Sequence, residues 1–461
     1  MAEMASTKGN NSMNIWLKDP LGILCDGGEG GIVIKDDKIN EVLDIGKTPS
    51  IHIDFTLDAS RYVILPGLIN IHHHFYQTLT RALPCSFGKS LFPWLEALYP
   101  VWANVDDEML FDATVVACAE LVQSGCTTVF DHHYIYPTGL EKAADIIFAA
   151  AASVGIRMIV GRGSMSMDVA QGGLPPSSLV QSEDEILLDC ERVINKYHQK
   201  GDGAMQQVVL APCSPFSVSK NLMFQTAQLA RKYGVRLHTH LSETVDENKF
   251  CMSHYGCRPL QYLEESDWLG SDLWLAHGIH FNNEEILMLG KTKIGIAHCP
   301  TSNMALSSGI CPVLELADAG CPVGLGVDGS ASNDSSNIMQ EARQAFLLQR
   351  LMEAPERISA FDPLKWATSG SAKCLGREDI GHIKIGKKAD LALFSLDDLR
   401  YSSAGDPLAA LILCGANKAD YVLINGEFIV RNGEINNIDV ELIKYRHKIS
   451  ANRLWSKAGL V

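Results

Sequence analysis

The middle of the chain alternates short apolar runs with longer segments that repeat apolar residues at helical spacing. The segments 107–122 and 221–232 show this helical spacing clearly. The apolar runs, eight in number, occupy residues 63–68, 127–130, 157–160, 207–211, 236–239, 273–276, 293–297 and 322–327. Eight alternating strands and helices predict an α/β fold built as a (β/α)8 TIM-like barrel, with its active site at the carboxyl ends of the strands. An open, doubly wound parallel sheet is the alternative architecture.

The two ends of the chain differ from this middle part, because they combine short strand-like segments with tight-turn residues. These segments are residues 14–24, 31–42, 390–394, 421–425 and 428–430. Since pieces at opposite ends of a chain can pair, we predict a small β-sandwich domain formed by residues 1–64 and 380–461. The barrel then spans residues 65–379, and the polar residues 1–12 are expected to be a flexible extension.

Composition narrows the class of protein. Hydrophobic residues make up 46% of the 461 residues, which is typical of a folded globular chain. The 39 basic and 54 acidic residues give a net charge of 39 − 54 = −15, which is unfavourable for binding nucleic acid.

Thirteen cysteines without a C-x-x-C pair indicate reduced thiols and hence a cytoplasmic protein. No apolar stretch reaches the ~20 residues of a membrane span, so we expect no membrane partner. Homo-oligomer formation stays open.

Histidines cluster where the predicted strands end. Nine of the fifteen follow these strands: His72, His73, His74, His132, His133, His238, His240, His277 and His298. Asp328 follows the eighth strand. Neutral imidazole suits zinc or iron(II), and a carboxylate can complete such a site. His72 and His74 lie two apart on an extended segment and therefore point to the same side. The joint pattern predicts a metal site, whereas hydrogen-bonded core histidines would leave the strand-end placement unexplained.

Several of these segments carry the motifs of a known family. Residues 66–74 (PGLINIHHH) resemble the P-G-x-x-x-x-H-x-H opening of the amidohydrolase superfamily. Residues 240–244 (HLSET) resemble the H-x-x-E-T step of its purine and pterin deaminase branch. Three further segments, at 275–278, 298–303 and 326–330, are similar to that branch as well. The resemblance covers nearly the whole chain.

The resemblance implies one divalent metal ion, zinc or else iron(II). Its ligands would be His72, His74, His240 and Asp328. The fourth strand ends at residues 211–214 (APCS), which offer neither the lysine nor the glutamate that bridges two metals in binuclear members. The resemblance also implies catalytic roles for Glu243 as the acid that protonates a ring nitrogen, and for His277 and Asp328 as groups that accept the proton of the attacking water.

The implied substrate is a small heteroaromatic molecule that carries an exocyclic amine. Residues 74–82 and 91–95 resemble the subgroup that deaminates the oxidised purine 8-oxoguanine. Deaminases of isoxanthopterin, hydrolases of hydroxyatrazine-type triazines and deaminases of adenosine or S-adenosylhomocysteine are the alternatives. We predict Gln77 and Trp94 as substrate contacts, although Gln77 as a helix-surface residue and Trp94 as a core anchor are equally open. Three further candidates for substrate contacts are His133, Arg162 and Cys213.

Overall fold

A closed barrel of eight parallel strands forms the centre of the molecule, which confirms the predicted fold class. The structure, a computed structural model, describes residues 13–461, so the predicted extension 1–12 lies outside the described residues. In chain order the barrel strands are Leu68–Asn70, Cys126–His133, Arg157–Ser164, Gln206–Pro212, Leu237–Leu241, Leu273–His277, Gly295–His298 and Val323–Leu325.

Helices follow these strands and cover the barrel. The α-helices lie at Leu91–Trp102, Asp107–Gln123, Ala143–Val154, Glu183–Tyr197, Lys220–Tyr233, Val245–Tyr255, Pro259–Glu265, Asn283–Thr292, Pro300–Ala305, Val313–Ala319, Ile338–Met352, Phe361–Lys365, Ser371–Cys374, Pro407–Ala410 and Val440–Lys457. Side-chain caps fix where several of them begin. Ser219, for example, accepts a hydrogen bond from the backbone N–H of Leu222 at 3.0 Å, and Asp106 accepts one from Met109 at 3.1 Å.

The predicted first barrel strand, residues 63–68, is in fact two strands in different sheets. Tyr62–Pro66 pairs with Leu391–Ser395 outside the barrel, and Leu68–Asn70 enters the barrel. The chain changes sheets at Gly67, where a Cβ atom would lie 2.2 Å from the Thr127 hydroxyl oxygen. Both strands are buried on both faces, so their apolar residues form one continuous run in the sequence and hide the break.

Two sheets made from the chain ends pack beside the barrel. The first sheet has the order Lys38–Leu43, Gly31–Lys35, Ile15–Lys18 and Phe55–Asp58. The second has the order Gly22–Ile23, Tyr62–Pro66, Leu391–Ser395, Tyr421–Ile424, Glu427–Arg431 and Glu434–Ile435. A separate apolar cluster lies between them and includes Leu17, Ile34, Leu391 and Leu423. The second sheet therefore joins strands from both ends of the chain.

The chain ends in a helix, Val440–Lys457, where the sequence predicts only a tail after the last strands. Only Ser450, Ala451 and Leu454 of this helix are buried, so its helical periodicity is weak in the sequence. The helix packs against the barrel, since the Trp455 indole N–H donates to the Leu79 carbonyl oxygen at 2.9 Å.

Two further findings concern the chain as a whole. In the part of the chain that the structure describes, no helix combines the length and the apolar character needed to cross a membrane. The thirteen cysteines are all free thiols.

A buried ion pair joins the barrel to the second sheet. Arg157 begins the third barrel strand, and its guanidinium pairs with the carboxylate of Asp390 while neither side chain is exposed by more than 1%. The same guanidinium donates to the Asn425 side-chain oxygen at 2.7 Å and to the Thr128 hydroxyl at 3.0 Å. These contacts fix the second sheet against the amino-terminal ends of the barrel strands.

We expect Asp390→Ala to lower the free energy of unfolding by about 3–5 kcal/mol, because it leaves the Arg157 guanidinium buried without a counter-charge. Urea unfolding, followed by circular dichroism, measures the change. The matched control is Glu441→Ala, which removes an exposed carboxylate that pairs with Lys444 and should shift the midpoint little. Equal midpoints for the two variants would contradict the importance of the buried pair.

Candidate metal centre and active site

Four buried side chains converge at the carboxyl ends of the barrel strands. His72 and His74 follow the first strand, His240 lies in the fifth, and Asp328 follows the eighth. The Nε2 atoms of His74 and His240 are 3.1 Å apart, and Asp328 Oδ1 lies 3.2 Å from Nε2 of both His72 and His74. Asp328 pairs with His73 in a short parallel bridge, which brings Asp328 close to His72 and His74.

The hydrogen bonds of the imidazoles determine which nitrogen carries the proton. His74 Nδ1 lies 2.7 Å from the His132 carbonyl oxygen, and His240 Nδ1 lies 2.6 Å from that of Cys213. A carbonyl only accepts, so both Nδ1 atoms carry hydrogen and, in the neutral rings, both Nε2 atoms present lone pairs. Burial holds the pKa of His240 well below its usual value, which keeps that ring neutral. Two lone pairs facing each other at 3.1 Å repel unless a cation lies between them.

His72 also carries its proton on Nδ1, because this nitrogen is hydrogen-bonded to a second histidine, His238. His238 Nδ1 donates to the Trp274 carbonyl oxygen at 2.9 Å, so His238 Nε2 accepts from His72 Nδ1, also at 2.9 Å. His72 Nε2 is therefore left with a lone pair, and among residues 13–461 it has no hydrogen-bond partner. Burial lowers the pKa of His72 to about 4. Three imidazole lone pairs and a carboxylate thus meet at one point, which fits a divalent metal with oriented ligands.

A carboxylic acid and a fourth histidine lie beside these donors. His277 Nε2 is 3.5 Å from Glu243 Oε2 and 3.8 Å from Asp328 Oδ2, and its Nδ1 is 2.9 Å from the Asn303 side-chain oxygen. Burial raises the pKa of Glu243. Burial alone would lower the pKa of His277, but the carboxylates of Glu243 and Asp328 raise it above its usual value. Both groups therefore bind a proton more tightly than usual, which is common among residues that transfer protons in buried sites.

Three of the strand ends at this site adopt a left-handed backbone without being glycine. Ser242, His277 and Asp328 have φ values of 54°, 71° and 61°. Such conformations cost of order 1–3 kcal/mol each and persist where neighbouring contacts over-determine them. Here the Gly278 N–H donates to the Leu241 carbonyl at 3.1 Å, which ties the end of the sixth strand to the fifth.

A narrow cavity opens beside the donors. Its apolar and aromatic walls come from Leu91, Trp94, Tyr99, Tyr134, Phe216 and Leu306, and its polar groups include Gln77, Cys213 and Ser332. Glu243 and His277 face the same cavity. Apolar walls that include aromatic rings, with a few polar groups among them, suit a planar heteroaromatic ligand.

The structure brings Gln77, Trp94 and Cys213 to the cavity. Gln77 and Trp94 also hold the loop after Asp328, since Gln77 Oε1 accepts from the Ala331 N–H at 3.3 Å and Trp94 Nε1 donates to the Ala331 carbonyl at 3.2 Å. A Cβ atom on Gly329 would lie 1.8 Å from Gln77 Oε1, so only glycine lets the amide approach this closely. Gln77 is therefore buried at the site and is not a helix-surface residue.

His133 and Arg162, predicted as substrate contacts, do not reach the cavity. Along the second strand His132 points into the barrel, so the next residue, His133, points outward, and Arg162 lies opposite it in the neighbouring strand. Arg162 Nε donates to Asp189 at 2.8 Å, and its guanidinium lies 3.9 Å from the Tyr136 ring centroid. A strand-end position alone does not determine on which side of the barrel wall a side chain lies.

Four further residues of the site received no role from the sequence pattern, although His132 and His238 belong to the strand-end histidines. His132 and His238 orient the candidate ligands, Asn303 orients His277, and the Ser308 hydroxyl donates to Glu243 Oε1 at 3.3 Å. The H-x-H spacing of residues 238–240 was the one available signal, because residues two apart on a strand face the same side.

The sequence pattern of the amidohydrolase family matches residues 63–435. This chain belongs to the amidohydrolase family. The family match spans the barrel, the candidate metal ligands and most of the second sheet.

Individual relatives are similar over most of their length. An 8-oxoguanine deaminase of Pseudomonas aeruginosa is 53% identical over 442 residues, which are 95% of this chain and 98% of that protein. A hydroxydechloroatrazine ethylaminohydrolase of Pseudomonas sp. strain ADP is 40% identical over 81% of this chain and 79% of that protein. The crystal structure of an atrazine chlorohydrolase from Arthrobacter aurescens complexed with zinc has a TM-score of 0.90 and 30% identity, covering 95% of this chain and 100% of that chain.

We expect His240→Ala to lose the bound metal, because the remaining donors hold an ion far less tightly. Elemental analysis of the purified protein and titration of metal into the metal-free variant measure the loss. His52→Ala is the control, since the exposed His52 lies in the loop between the strands Lys38–Leu43 and Phe55–Asp58. Full metal occupancy in His240→Ala would remove this residue from the ligand set.

Proposed function

We propose that this chain catalyses the hydrolytic deamination of 8-oxoguanine to urate and ammonia. The observation that carries the proposal is the 53% identity, over nearly the full length of both chains, to an 8-oxoguanine deaminase. The site supports the same reaction class, because the buried Glu243 shares one cavity with His277, whose ligand atom lies within 4.8 Å of those of His72, His240 and Asp328. The acidic charge of the chain and its free thiols support a cytoplasmic enzyme that acts on a small molecule.

The metal ion would be held by His72, His74, His240 and Asp328. Zinc is favoured over iron(II) because a structurally similar family member was crystallised with zinc. When bound, a divalent ion supplies a water molecule whose pKa is lowered toward ~7. The end of the fourth strand offers Pro212 and Cys213 but no bridging ligand, so a single ion is proposed.

The residues around the candidate metal site would transfer the protons of the reaction. Asp328 Oδ2 and His277 Nε2 lie 3.8 Å apart and face the same space, so they orient the attacking water and accept its proton. Glu243 donates a proton to the ring nitrogen beside the carbon under attack, which stabilises the ring as it loses aromaticity. The proton taken from water passes to the exocyclic amine, which leaves as ammonia when its bond to carbon breaks. The attacking oxygen becomes the new carbonyl oxygen and returns its remaining proton to Glu243.

The cavity wall would bind the flat base. We propose that Trp94 packs on the ring and that Gln77 and Cys213 contact its polar edge. The indole N–H of Trp94 and the amide oxygen of Gln77 are already held by the loop after Asp328, so the two residues present fixed surfaces to the substrate. Such preorganised contacts improve discrimination between related bases.

A triazine aminohydrolase is the second candidate function. The 40% identity to a hydroxydechloroatrazine ethylaminohydrolase favours it, because that protein also removes an amine from a nitrogen heterocycle, as its name states. Isoxanthopterin is a further candidate substrate, since it carries a similar amino and lactam edge. Adenosine-type substrates are less favoured, because a ribose needs polar partners for its hydroxyls and the cavity walls are mainly apolar.

We expect Glu243→Gln to retain the fold and the metal but to lower kcat by roughly 10²–10⁴-fold, because the amide cannot deliver a proton. Ammonia release, with the metal content of each preparation measured, tests this expectation. Glu284→Gln, which changes an exposed glutamate in the helix Asn283–Thr292, is the control. A Glu243→Gln enzyme with near wild-type kcat would show that another group is the acid.

A substrate panel tests the proposed specificity. We expect kcat/KM for 8-oxoguanine to exceed that for guanine by up to ~10⁴-fold, because polar groups that pair with the oxidised ring are left unsatisfied by guanine. The panel also contains isoxanthopterin, hydroxyatrazine and S-adenosylhomocysteine, and ammonia or amine release is measured for each. A kcat/KM for isoxanthopterin or a triazine that clearly exceeds the value for 8-oxoguanine would contradict the proposed substrate. The deaminase mechanism would still stand.

A further inference from the structure

A second buried glutamate, Glu247, lies one helical turn beyond Glu243. It occupies the third position of the helix Val245–Tyr255, and its side chain is fully buried. Thr244 caps this helix, with its hydroxyl accepting from the Glu247 N–H at 3.2 Å. A glutamate at this helical position commonly bonds back to the N–H of the cap residue itself.

Glu247 reaches further than such a cap. Its Oε1 accepts from the Ser242 N–H and its Oε2 from the Glu243 N–H, both at 2.9 Å. One carboxylate therefore holds two consecutive amides ahead of the helix. Among residues 13–461 it has no ion-pair partner within 4 Å, so these backbone bonds are its main compensation for burial.

The backbone that Glu247 holds is the strained part of the fifth strand end. Ser242 has φ 54°, and its carbonyl oxygen accepts from both the Ile279 and the His280 N–H at 2.9 Å. The residue is thus fixed on one side by Glu247 and on the other by the segment that follows His277. This arrangement sets the direction in which the side chain of the next residue, Glu243, points.

We propose that Glu247 is a positioning residue that holds the backbone of Ser242 and Glu243 so that the Glu243 carboxylate faces the cavity and His277. The proposal rests on the proposed function, because it assigns a role through the proposed acid. The Glu243 carboxylate lies 3.5 Å from His277 Nε2, and its only hydrogen bond among the described side chains is a 3.3 Å contact with Ser308. These contacts are too few to fix the Glu243 carboxylate. The two hydrogen bonds from the Ser242 and Glu243 N–H groups to Glu247, called the backbone clamp below, supply the further constraint.

The first experiment compares Glu247→Ala, Glu247→Gln and the control Asp246→Asn. Asp246 is exposed on the same helical turn and pairs with Lys249 at 3.0 Å. We expect Glu247→Ala to lower kcat about 100-fold, the cost of misplacing a reacting group by about 1 Å, with KM and metal content little changed. Glu247→Gln should lose less, since its amide oxygen still accepts one N–H. Asp246→Asn should match the wild type.

A double-mutant cycle separates positioning from a general loss of structure. If Glu247 acts through Glu243, adding Glu247→Ala to Glu243→Gln should lower kcat by less than about 3-fold, because the acid is already absent. An undiminished 100-fold loss in that background would overturn the proposal. So would a Glu247→Ala enzyme with wild-type kcat.

A third readout does not depend on substrate. Amide hydrogen exchange at Ser242 and Glu243 should be faster in Glu247→Ala than in Asp246→Asn or the wild type, because both amides lose their acceptor. Unchanged exchange would overturn the clamp even if no base in the panel were deaminated. A wild-type enzyme inactive on the whole panel, with faster exchange in Glu247→Ala, would instead refute the proposed function and retain the clamp.

Discussion

Repulsion between imidazole lone pairs is the constraint around which this molecule is organised. Backbone carbonyls and His238 fix the protons of His72, His74 and His240 on the nitrogens that face away from the centre. The opposite nitrogens and the Asp328 carboxylate then converge in a buried space where only a cation relieves the repulsion. A barrel is well suited to impose this arrangement, because hydrogen bonds around a closed sheet prevent the strand ends from moving apart.

The same frame supports the substrate cavity. Gln77 and Trp94 belong to the cavity wall, yet their hydrogen bonds hold the loop that follows Asp328. The carboxyl-terminal helix in turn fixes the segment after His74, where Trp455 donates to the Leu79 carbonyl and His447 lies 3.1 Å from the Thr78 hydroxyl. A change in the wall would therefore also disturb the loop that follows Asp328, so the cavity wall and this candidate metal ligand are physically coupled.

The sequence allowed the fold class and the converging donors to be predicted, because parallel strands place the residues that follow them at one end of the barrel. Prediction from the sequence failed for features that depend on contacts between distant parts of the chain. The apolar run 63–68 conceals a change of sheet at Gly67, and the alternation of side chains turns His133 and Arg162 away from the cavity. The terminal helix buries too few residues to show periodicity. The contact of His72 with His238 joins residues 166 positions apart, so the H-x-H spacing at 238–240 places His238 on the same side as His240 but does not reveal its partner.

The separation of the two carboxylates fits the proposed roles of Glu243 as the acid and Asp328 as the base. Asp328 faces the donor nitrogens, so a cation placed there keeps it ionised and able to accept a proton through His277. Glu243 lies on the cavity side, where burial raises its pKa and favours the protonated form that an acid needs. His277 contacts both at under 4 Å and can hold the proton between them. The division of roles therefore follows from where each carboxylate lies relative to the ion, and it requires that the backbone keep Glu243 on its own side of the site.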